Sequence, residues 1–356
     1  MIHLLRRLLP VVALLTLCGC ASGRPSPVPP GVILLWPPPP QQARIEWLKE
    51  FHGPDELEIG KGFWKRLAEV ITGEEFNGIV RPYGVHADGE GRIYLADTGA
   101  GCVHFYDKKD GVYRRLTGSA KAPLLSPIGI TGDGKGTIYV TDSASGTVFR
   151  HTPGGEFLEP FIVGVITRPT GIVYAPRTGE IYVTDTANHK IVVFDREGVR
   201  KFEFGLLGDG PGEFNHPTDL ALDHSGRLIV TDALNFRVQT LSATGEFITV
   251  FGSSGDSSGA FNKPKGVAVD SDGNIYVVDS LQDAVQIFDP SGRLLMAFGS
   301  RGSRPGEFWM PSGLFIDGKD TIYVADSYNN RIQMFQYHGR QRQPAALSVA
   351  SMPSRR

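Results

Sequence analysis

The chain has 356 residues and a nearly balanced charge, with 36 Lys and Arg against 38 Asp and Glu and a formal net charge of -2. This balance disfavours a nucleic-acid-binding protein, because such proteins neutralise phosphates with clustered basic residues. Three cysteines are too few for a disulfide framework, and no two of the nine histidines stand at the spacing of zinc ligands. The sequence therefore gives no local support for a metal or another cofactor.

Residues 1–19 have the features of a signal peptide. Two arginines precede an apolar run from Leu8 to Leu17 that is too short for a permanent membrane span. The following Leu17-Cys-Gly-Cys20 resembles a lipobox, which implies cleavage before Cys20 and attachment of lipid to that residue. A plain secretory signal is the alternative, since Cys18 departs from the usual residue in the middle of that motif.

Residues 20–42 form a proline-rich segment that ends in Trp36 followed by four prolines. Such a run prefers the extended polyproline II conformation and predicts a semi-rigid, lipidated tether to the membrane. Ala21 and Ser22 stand where an inner-membrane retention signal has Asp. The expected localisation is therefore the bacterial cell envelope, with the outer membrane favoured over the inner one if two are present.

Residues 43–78 are predicted to contain a closing strand and an amphipathic helix. Ala43–Phe51 alternates enough to form a strand, and Gly62–Thr72 places its apolar residues at helical spacing. We expect that helix to pack on one face of the domain that follows. At the other end, residues 339–356 have no periodicity and are predicted to be a disordered tail.

Between residues 79 and 338 one unit occurs six times. Each copy opens with a proline and contains a second apolar run that ends in aspartate. The prolines are Pro82, Pro127, Pro169, Pro217, Pro264 and Pro311, and the aspartates are Asp97, Asp142, Asp185, Asp232, Asp279 and Asp326. A period of 40 to 50 residues with several short strands in each unit predicts an all-β, six-bladed β-propeller. The sixth unit lacks an outer strand, so we expect the N-terminal strand to close the ring and cover the exposed sheet edge.

The fifth unit, Lys263–Gly292, reads KPKGVAVDSDGNIYVVDSLQDAVQIFDPSG and resembles the NHL repeat. The wider arrangement of lipoprotein signal, proline-rich tether and six repeats resembles bacterial NHL-repeat lipoproteins. The resemblance implies the fold and says little about function.

The uniform aspartates are predicted to be structural, because a carboxylate at the end of a strand can accept N–H groups of the following turn. Five residues after the aspartate, Lys190, Arg237 and Arg331 are predicted to pair with it. Cys102, at the equivalent position of the first repeat, is predicted to be a partly buried, inert thiol.

Residues beside the repeated prolines vary in chemistry and begin the strands expected nearest the axis. The charged residues among them are all basic, and where five repeats have glycine two residues after the proline, the fourth has Asp219. An exception of this kind at a crowded place points to function. The predicted ligand-binding residues are Arg81, Tyr83, Arg168, His216, Asp219, Lys263 and Lys265. The alternative is that they are solvated loop ends on a face that binds nothing.

Two enzyme classes share this scaffold. The amidating lyase of peptide-hormone processing uses zinc-binding histidines, but no three histidines match here. Calcium-dependent lactonases use Glu, Asn and Asp, of which only Asp219 is present on the inner strands. No catalytic residue is assigned. The sequence predicts a monomeric, non-catalytic, membrane-tethered scaffold that binds a protein, peptide or glycan partner outside the cytoplasm; the alternative is a metal-dependent lyase or lactonase with its site in the central channel.

Overall fold

The structure, a computed structural model, describes residues 33–57, 59 and 78–339. These residues form six antiparallel β-sheets around a central axis, which confirms the predicted six-bladed, all-β propeller. The predicted signal peptide, Cys20, the predicted helix at Gly62–Thr72 and nearly all of the predicted tail lie outside the described residues.

Each blade runs outward from the axis in chain order. The inner strands are β3 (Pro82–Ala87), β7 (Pro127–Gly132), β11 (Pro169–Ala175), β15 (Pro217–Leu222), β19 (Pro264–Val269) and β23 (Leu314–Ile316). The second strands are β4 (Arg92–Asp97), β8 (Ile138–Asp142), β12 (Glu180–Asp185), β16 (Leu228–Asp232), β20 (Ile275–Asp279) and β24 (Thr321–Asp326). The third strands are β5 (Cys102–Asp107), β9 (Thr147–His151), β13 (Lys190–Phe194), β17 (Arg237–Leu241), β21 (Ala284–Phe288) and β25 (Arg331–Tyr337).

The outer strands complete the sheets. In blades one to five they are β6 (Val112–Leu116), β10 (Glu159–Ile162), β14 (Arg200–Phe204), β18 (Phe247–Phe251) and β22 (Leu294–Phe298). Blade six takes its outer strands from the N-terminal part of the chain, β2 (Ile45–Phe51) and β1 (Leu35–Trp36). Short 3-10 turns occupy Pro54–Leu57, Thr186–Asn188, Ala233–Asn235 and Ser327–Asn329.

Burial explains why these segments are strands. The second strands are rich in β-branched and aromatic residues and are buried on both faces, since each blade packs between two others. An apolar residue three positions before each proline fills the space between neighbouring blades. Three of these residues, Phe214, Phe261 and Phe308, are fully buried.

The ring closes as predicted. Strand β2 pairs antiparallel with β25, from Ile45 opposite Tyr337 to Phe51 opposite Ile332. Both end residues of β2, Ile45 and Phe51, are fully buried, so the closing strand contributes to the core as well as covering an edge.

The prediction that residues 20–42 form a tether is wrong for the last part of that segment. Leu35–Trp36 forms β1, which pairs with β2 and adds a fifth strand to blade six. The Trp36 ring lies 5.9 Å from the rings of Phe298 and Phe335. A tryptophan that finds an apolar surface buries large area there, and this burial outweighs the local preference of the adjacent prolines for a free spacer.

Candidate functional site

The inner strands begin around one end of the axis, which we call the mouth. Here the N–H group before the inner-strand proline donates to the carboxylate that ends the second strand of the same blade. These pairs are Arg81–Asp97 (2.9 Å), Arg168–Asp185 (3.1 Å) and Lys263–Asp279 (3.1 Å). The structural aspartates therefore fix the backbone of the basic residues predicted to bind ligand.

The predicted turn bonds of the aspartates are confirmed in three blades. Asp97 Oδ1, for example, accepts N–H groups of Gly99 and Ala100, each at 2.9 Å. In blades three, four and six a 3-10 turn follows instead, and an asparagine side-chain amide donates to the carboxylate. These donors are Asn188, Asn235 and Asn329. The bond back to the inner strand was not predicted, because it joins residues 16 or 17 positions apart.

Two of the three predicted cation partners of these aspartates are confirmed. Arg237 Nε lies 2.8 Å from Asp232 and Arg331 Nε lies 2.7 Å from Asp326. The prediction is wrong for Lys190, which instead pairs with Glu203 on the outer strand at 2.9 Å.

The rim of the mouth is basic. Arg81, Arg168 and Lys263 are exposed. His216, also on the rim, is half-buried and packs edge-to-face on His189 with ring centroids 4.5 Å apart. Burial, His189 and the Arg168 charge lower the pKa of His216, so this side chain is neutral at pH 7.

Just inside the rim lie Tyr83, Asp219 and Lys265. The Lys265 ammonium is 5.2 Å from the centroid of the Tyr83 ring. Burial and the charge of Lys263 lower the pKa of Lys265 to about 8. Burial raises the pKa of Asp219 to about 7, although the Val267 N–H group donates to its Oδ2 at 3.1 Å. Burial and the Asp219 charge also raise the pKa of Tyr83 well above its usual range.

Asp219 lies where the other blades need glycine. A Cβ at Gly84 would come within 2.3 Å of the Ile128 carbonyl oxygen, and one at Gly313 within 2.0 Å of the Tyr83 carbonyl oxygen. In blade four the Asp219 carboxylate spans the seam to blade five instead, where it accepts the Val267 N–H group. Asp219 therefore makes a hydrogen bond that joins two blades, and it also lines the cavity.

An axial cavity of about 340 Å³ connects these residues with the opposite end of the inner strands, which we call the far end. Tyr83, Thr218 and Asp219 line it near the mouth, and His86 and His224 line it at the far end. The hydroxyl of Thr218 is buried and has no hydrogen-bond partner in the described part of the chain. The far end is not predicted from the sequence. Its one local signal is His86, since the equivalent residues of the other blades carry no imidazole.

A second missed feature is an aromatic shelf beside the rim, formed by Trp309 and Tyr328 of blade six. Both side chains are nearly half exposed, at 44% and 46%, and their ring centroids are 5.6 Å apart. The Arg81 guanidinium lies 5.6 Å from the centroid of Tyr328. The shelf is thus continuous with the basic rim. Trp309 departs from the residues at its position in the other repeats, and that departure is the signal in the sequence.

Within residues 33–57, 59 and 78–339 no three His, Cys, Asp or Glu side chains converge as a metal site. None of the helices in those ranges is long and apolar enough to cross a membrane.

Comparison with protein families adds to this geometry. A family model described as a 6-bladed beta-propeller matches residues 173–252 and 261–349. The Drosophila melanogaster protein brain tumor is 36% identical over 72 residues, which make up 20% of this chain and 7% of that protein. The rat E3 ubiquitin-protein ligase NHLRC1 is 30% identical over 59 residues, or 17% of this chain and 15% of that protein. The chain is a six-bladed β-propeller, and short stretches of it are similar to NHL-repeat proteins.

Both relatives are matched over far less than two thirds of their length. The propeller also resembles solved structures over most of its length. Virginiamycin B lyase from Staphylococcus aureus superposes with a TM-score of 0.56 and 17% identity, covering 81% of this chain and 98% of that one. An auxiliary nutrient binding protein from Bacteroides thetaiotaomicron gives a TM-score of 0.59 and 15% identity, covering 74% and 70%. An enzyme and a binding protein thus share this fold, and the fold alone does not separate the two functions.

Proposed function

We propose that this propeller is a lipid-anchored scaffold outside the cytoplasm that binds an anionic protein, peptide or glycan partner at its mouth. One observation carries the proposal: four cationic side chains from three blades surround a single opening. They are Arg81, Arg168, Lys263 and Lys265.

The chemistry of the rim favours a carboxylate-bearing partner. Arginine holds a carboxylate with two parallel hydrogen bonds, and the exposed arginines are free to turn toward a ligand. Beside them, Trp309 and Tyr328 provide the exposed aromatic area that dominates binding energy in many interfaces. Cations next to an aromatic shelf suit a large partner that presents both a charge and an apolar face.

The proposed anchor is lipid on Cys20, in the envelope of a bacterium, with the outer membrane favoured over the inner one. It rests on the lipobox-like Leu17-Cys-Gly-Cys20. Two or more acyl chains give stable membrane attachment at about 0.8 kcal/mol for each buried CH₂ group. Mass spectrometry of the mature protein tests it: an unmodified N-terminus at any residue other than Cys20 contradicts the anchor and leaves the mouth proposal standing.

The mouth is tested by titrating the protein with hexaglutamate, and with hexalysine as the opposite charge. The double variant R81A/R168A is expected to bind hexaglutamate at least about tenfold more weakly while its circular dichroism stays native. It should also fail to capture partners from a membrane extract. The matched control is R196A/R293A, which removes two exposed arginines from outer turns of the blades. Equal binding by R81A/R168A and the control contradicts the proposal and leaves the rim residues as solvated loop ends.

The pH dependence has a definite sign. Asp219 gains negative charge as pH rises through about 7, and Lys265 loses positive charge as pH rises through about 8. Hexaglutamate binding is therefore expected to weaken steadily from pH 6 to pH 9. An unchanged affinity over this interval shows that neither residue faces the ligand.

The alternative is a propeller enzyme of the lyase or lactonase type with its site in the central channel. One observation favours it: a carboxyl group with a pKa near 7 lies beside Tyr83 at the entrance to a cavity, as a general base does. Elemental analysis of the purified protein separates the two functions. Stoichiometric zinc or calcium, together with an activity lost on chelation and in D219N, overturns the scaffold proposal.

A further inference from the structure

The far end of the axial cavity differs from the mouth in both charge and shape. His86 lies on β3, four residues after Pro82, with its ring edge-on to Phe315 at a centroid distance of 4.8 Å. Room for the imidazole comes from Gly132 of blade two, where a Cβ would lie 2.5 Å from Nε2 of His86. The ring is therefore fixed between blades one, two and six.

The hydrogen-bonding capacity of His86 is unused. Its Nδ1 atom is buried, and no hydrogen bond joins either ring nitrogen to the residues that the structure describes. Burial lowers the pKa of His86 to about 4, despite the opposing charges of Asp88 and Asp133. At neutral pH the ring is thus uncharged, with one nitrogen that donates and one that accepts. The buried Nδ1 atom is out of reach of a ligand, so a ligand in the cavity would bond Nε2, whose hydrogen-bonding capacity no described residue uses.

Most of the other residues at the far end are apolar. Val173, Ala221 and Ala268 line the cavity here together with Phe315. The second imidazole, His224, is partly engaged, because its Nε2 lies 3.1 Å from the Asp270 carbonyl oxygen. The His86 ring is therefore a free polar group in this part of the described cavity wall.

The cavity wall at this end disfavours anions. Asp88, Asp133 and Asp223 follow the inner strands, and Asp223 lines the cavity itself. Their carboxylates accept N–H groups of the turns that they begin, and Asp88 and Asp223 each pair with an arginine of the same turn at 2.6 Å. A carboxylate ligand would lie near Asp223 and would find no cation in the described cavity wall.

We propose that the far end binds a small neutral molecule with an apolar aromatic body and one hydroxyl or primary amide group, which hydrogen-bonds the His86 imidazole. The axial cavity as a whole has a volume of about 340 Å³, which is within the range of small-molecule sites, and mostly apolar walls with a few placed polar groups are typical of them. This site is independent of partner binding at the mouth, since the two lie at opposite ends of the inner strands.

The test uses 2-naphthol as the probe. Its binding is measured by calorimetry and by the change in the NMR signals of the His86 ring. We expect 2-naphthol to bind with a shift of the His86 signals. Two analogues are expected to bind at least about tenfold more weakly than 2-naphthol. They are naphthalene, which lacks the hydroxyl, and 2-naphthoate, which is an anion.

Two variants locate the site. H86F should reduce 2-naphthol affinity about tenfold, to the level of naphthalene. A221L narrows the cavity without touching His86 and should weaken 2-naphthol and naphthalene together. The mouth variant R81A/R168A should leave 2-naphthol affinity unchanged. Binding of 2-naphthol without a His86 shift, equal affinity of H86F and the native protein, or 2-naphthoate binding as tightly as 2-naphthol each overturns the proposal, and so does the absence of any binding.

Discussion

Blades one and six satisfy the same buried aspartate in different ways. In blade six the Asp326 carboxylate accepts hydrogen bonds from the guanidinium of Arg331 at 2.7 Å and from the side-chain amide of Gln333 at 3.2 Å. In blade one the corresponding Asp97 receives Nε2 of His104 at 3.2 Å. A permanent cation holds one site and a titratable ring holds the other. The two blades should therefore respond differently to pH.

In blade six the same two side chains also join the closing strand. Blade six is assembled from distant parts of the chain, and Arg331 also bonds Glu50 of the closing strand at 2.8 Å. Gln333 accepts from the indole of Trp47 on the same strand at 3.1 Å. Blade one is continuous in sequence and has no such junction. Cys102 there stands in place of the arginine, with its sulfur 3.7 Å from His104 Nε2, and is fully buried. The predicted inert thiol is thus buried more deeply than expected.

The largest expected effect comes from R331M, which keeps the volume and removes the charge. Burial already raises the pKa values of both Asp326 and Glu50, and only the Arg331 guanidinium opposes this shift for both groups. Without it, two carboxylates remain in a buried site, and we expect a loss of about 3–5 kcal/mol of unfolding free energy in urea titrations.

The matched control for R331M is R237M in blade four. Arg237 makes the same bond to Asp232 but is more exposed and does not contact the closing strand. We expect R237M to lose less unfolding free energy than R331M. If R237M costs as much as R331M, the junction with the closing strand adds nothing, and the contrast between the blades fails.

The second effect is a pH dependence that belongs to blade one. Burial alone would lower the pKa of His104, but Asp97 and Cys102 raise it to about 9, above the usual 6.5 of a free histidine. Between pH 6.5 and about 9 the folded state thus retains the His104 proton, which the unfolded state has lost. The stabilisation of the fold by His104 is complete below pH 6.5 and is lost as pH rises through about 9. The loss is expected to be about 3 kcal/mol.

The variant H104Q sharpens this comparison, because it places in blade one the glutamine of blades four to six. Chemical denaturation at pH 6 and pH 9.5 should show a difference for the native protein that is much smaller for H104Q. A native protein with equal stability at the two pH values would show that His104 does not hold the Asp97 charge.

The smallest effect concerns the unpredicted strand β1. W36A removes the ring that packs on Phe298 and Phe335, and we expect a loss of about 1–2 kcal/mol, below that of a fully buried tryptophan. Deletion of residues 21–32, which precede β1, is the control and should leave the melting temperature unchanged. Equal melting temperatures for W36A and native protein would show that β1 adds nothing to blade six.

The sequence predicts the fold well because each signal is local. Proline before a strand, alternating apolar residues and an aspartate at the turn fall within one repeat, and six copies agree with one another. The mouth follows from this period, since residues at one position of the repeat must meet around the axis. Asp219 and the rim cations could therefore be named from the sequence.

Contacts between repeats could not be predicted in the same way. The role of Trp36 depends on Phe298 and Phe335, which are hundreds of residues away in the chain. The His86 site depends on Gly132 and Phe315 of the two neighbouring blades. Phe315 is at the position of the repeat equivalent to His86, but the repeat does not indicate that a ring nitrogen there is buried without a hydrogen bond.

The sequence by itself determined the number of blades, the order of strands in each, the closing strand and the basic rim. These features follow from the repeated motif, because each copy of the motif folds into the same backbone geometry. Only the tertiary structure decided which polar groups along the cavity are unsatisfied, which cation balances each buried aspartate and where the proline-rich segment joins the sheet. Those outcomes depend on burial and on the distance between atoms of different blades, and both arise only when the ring closes.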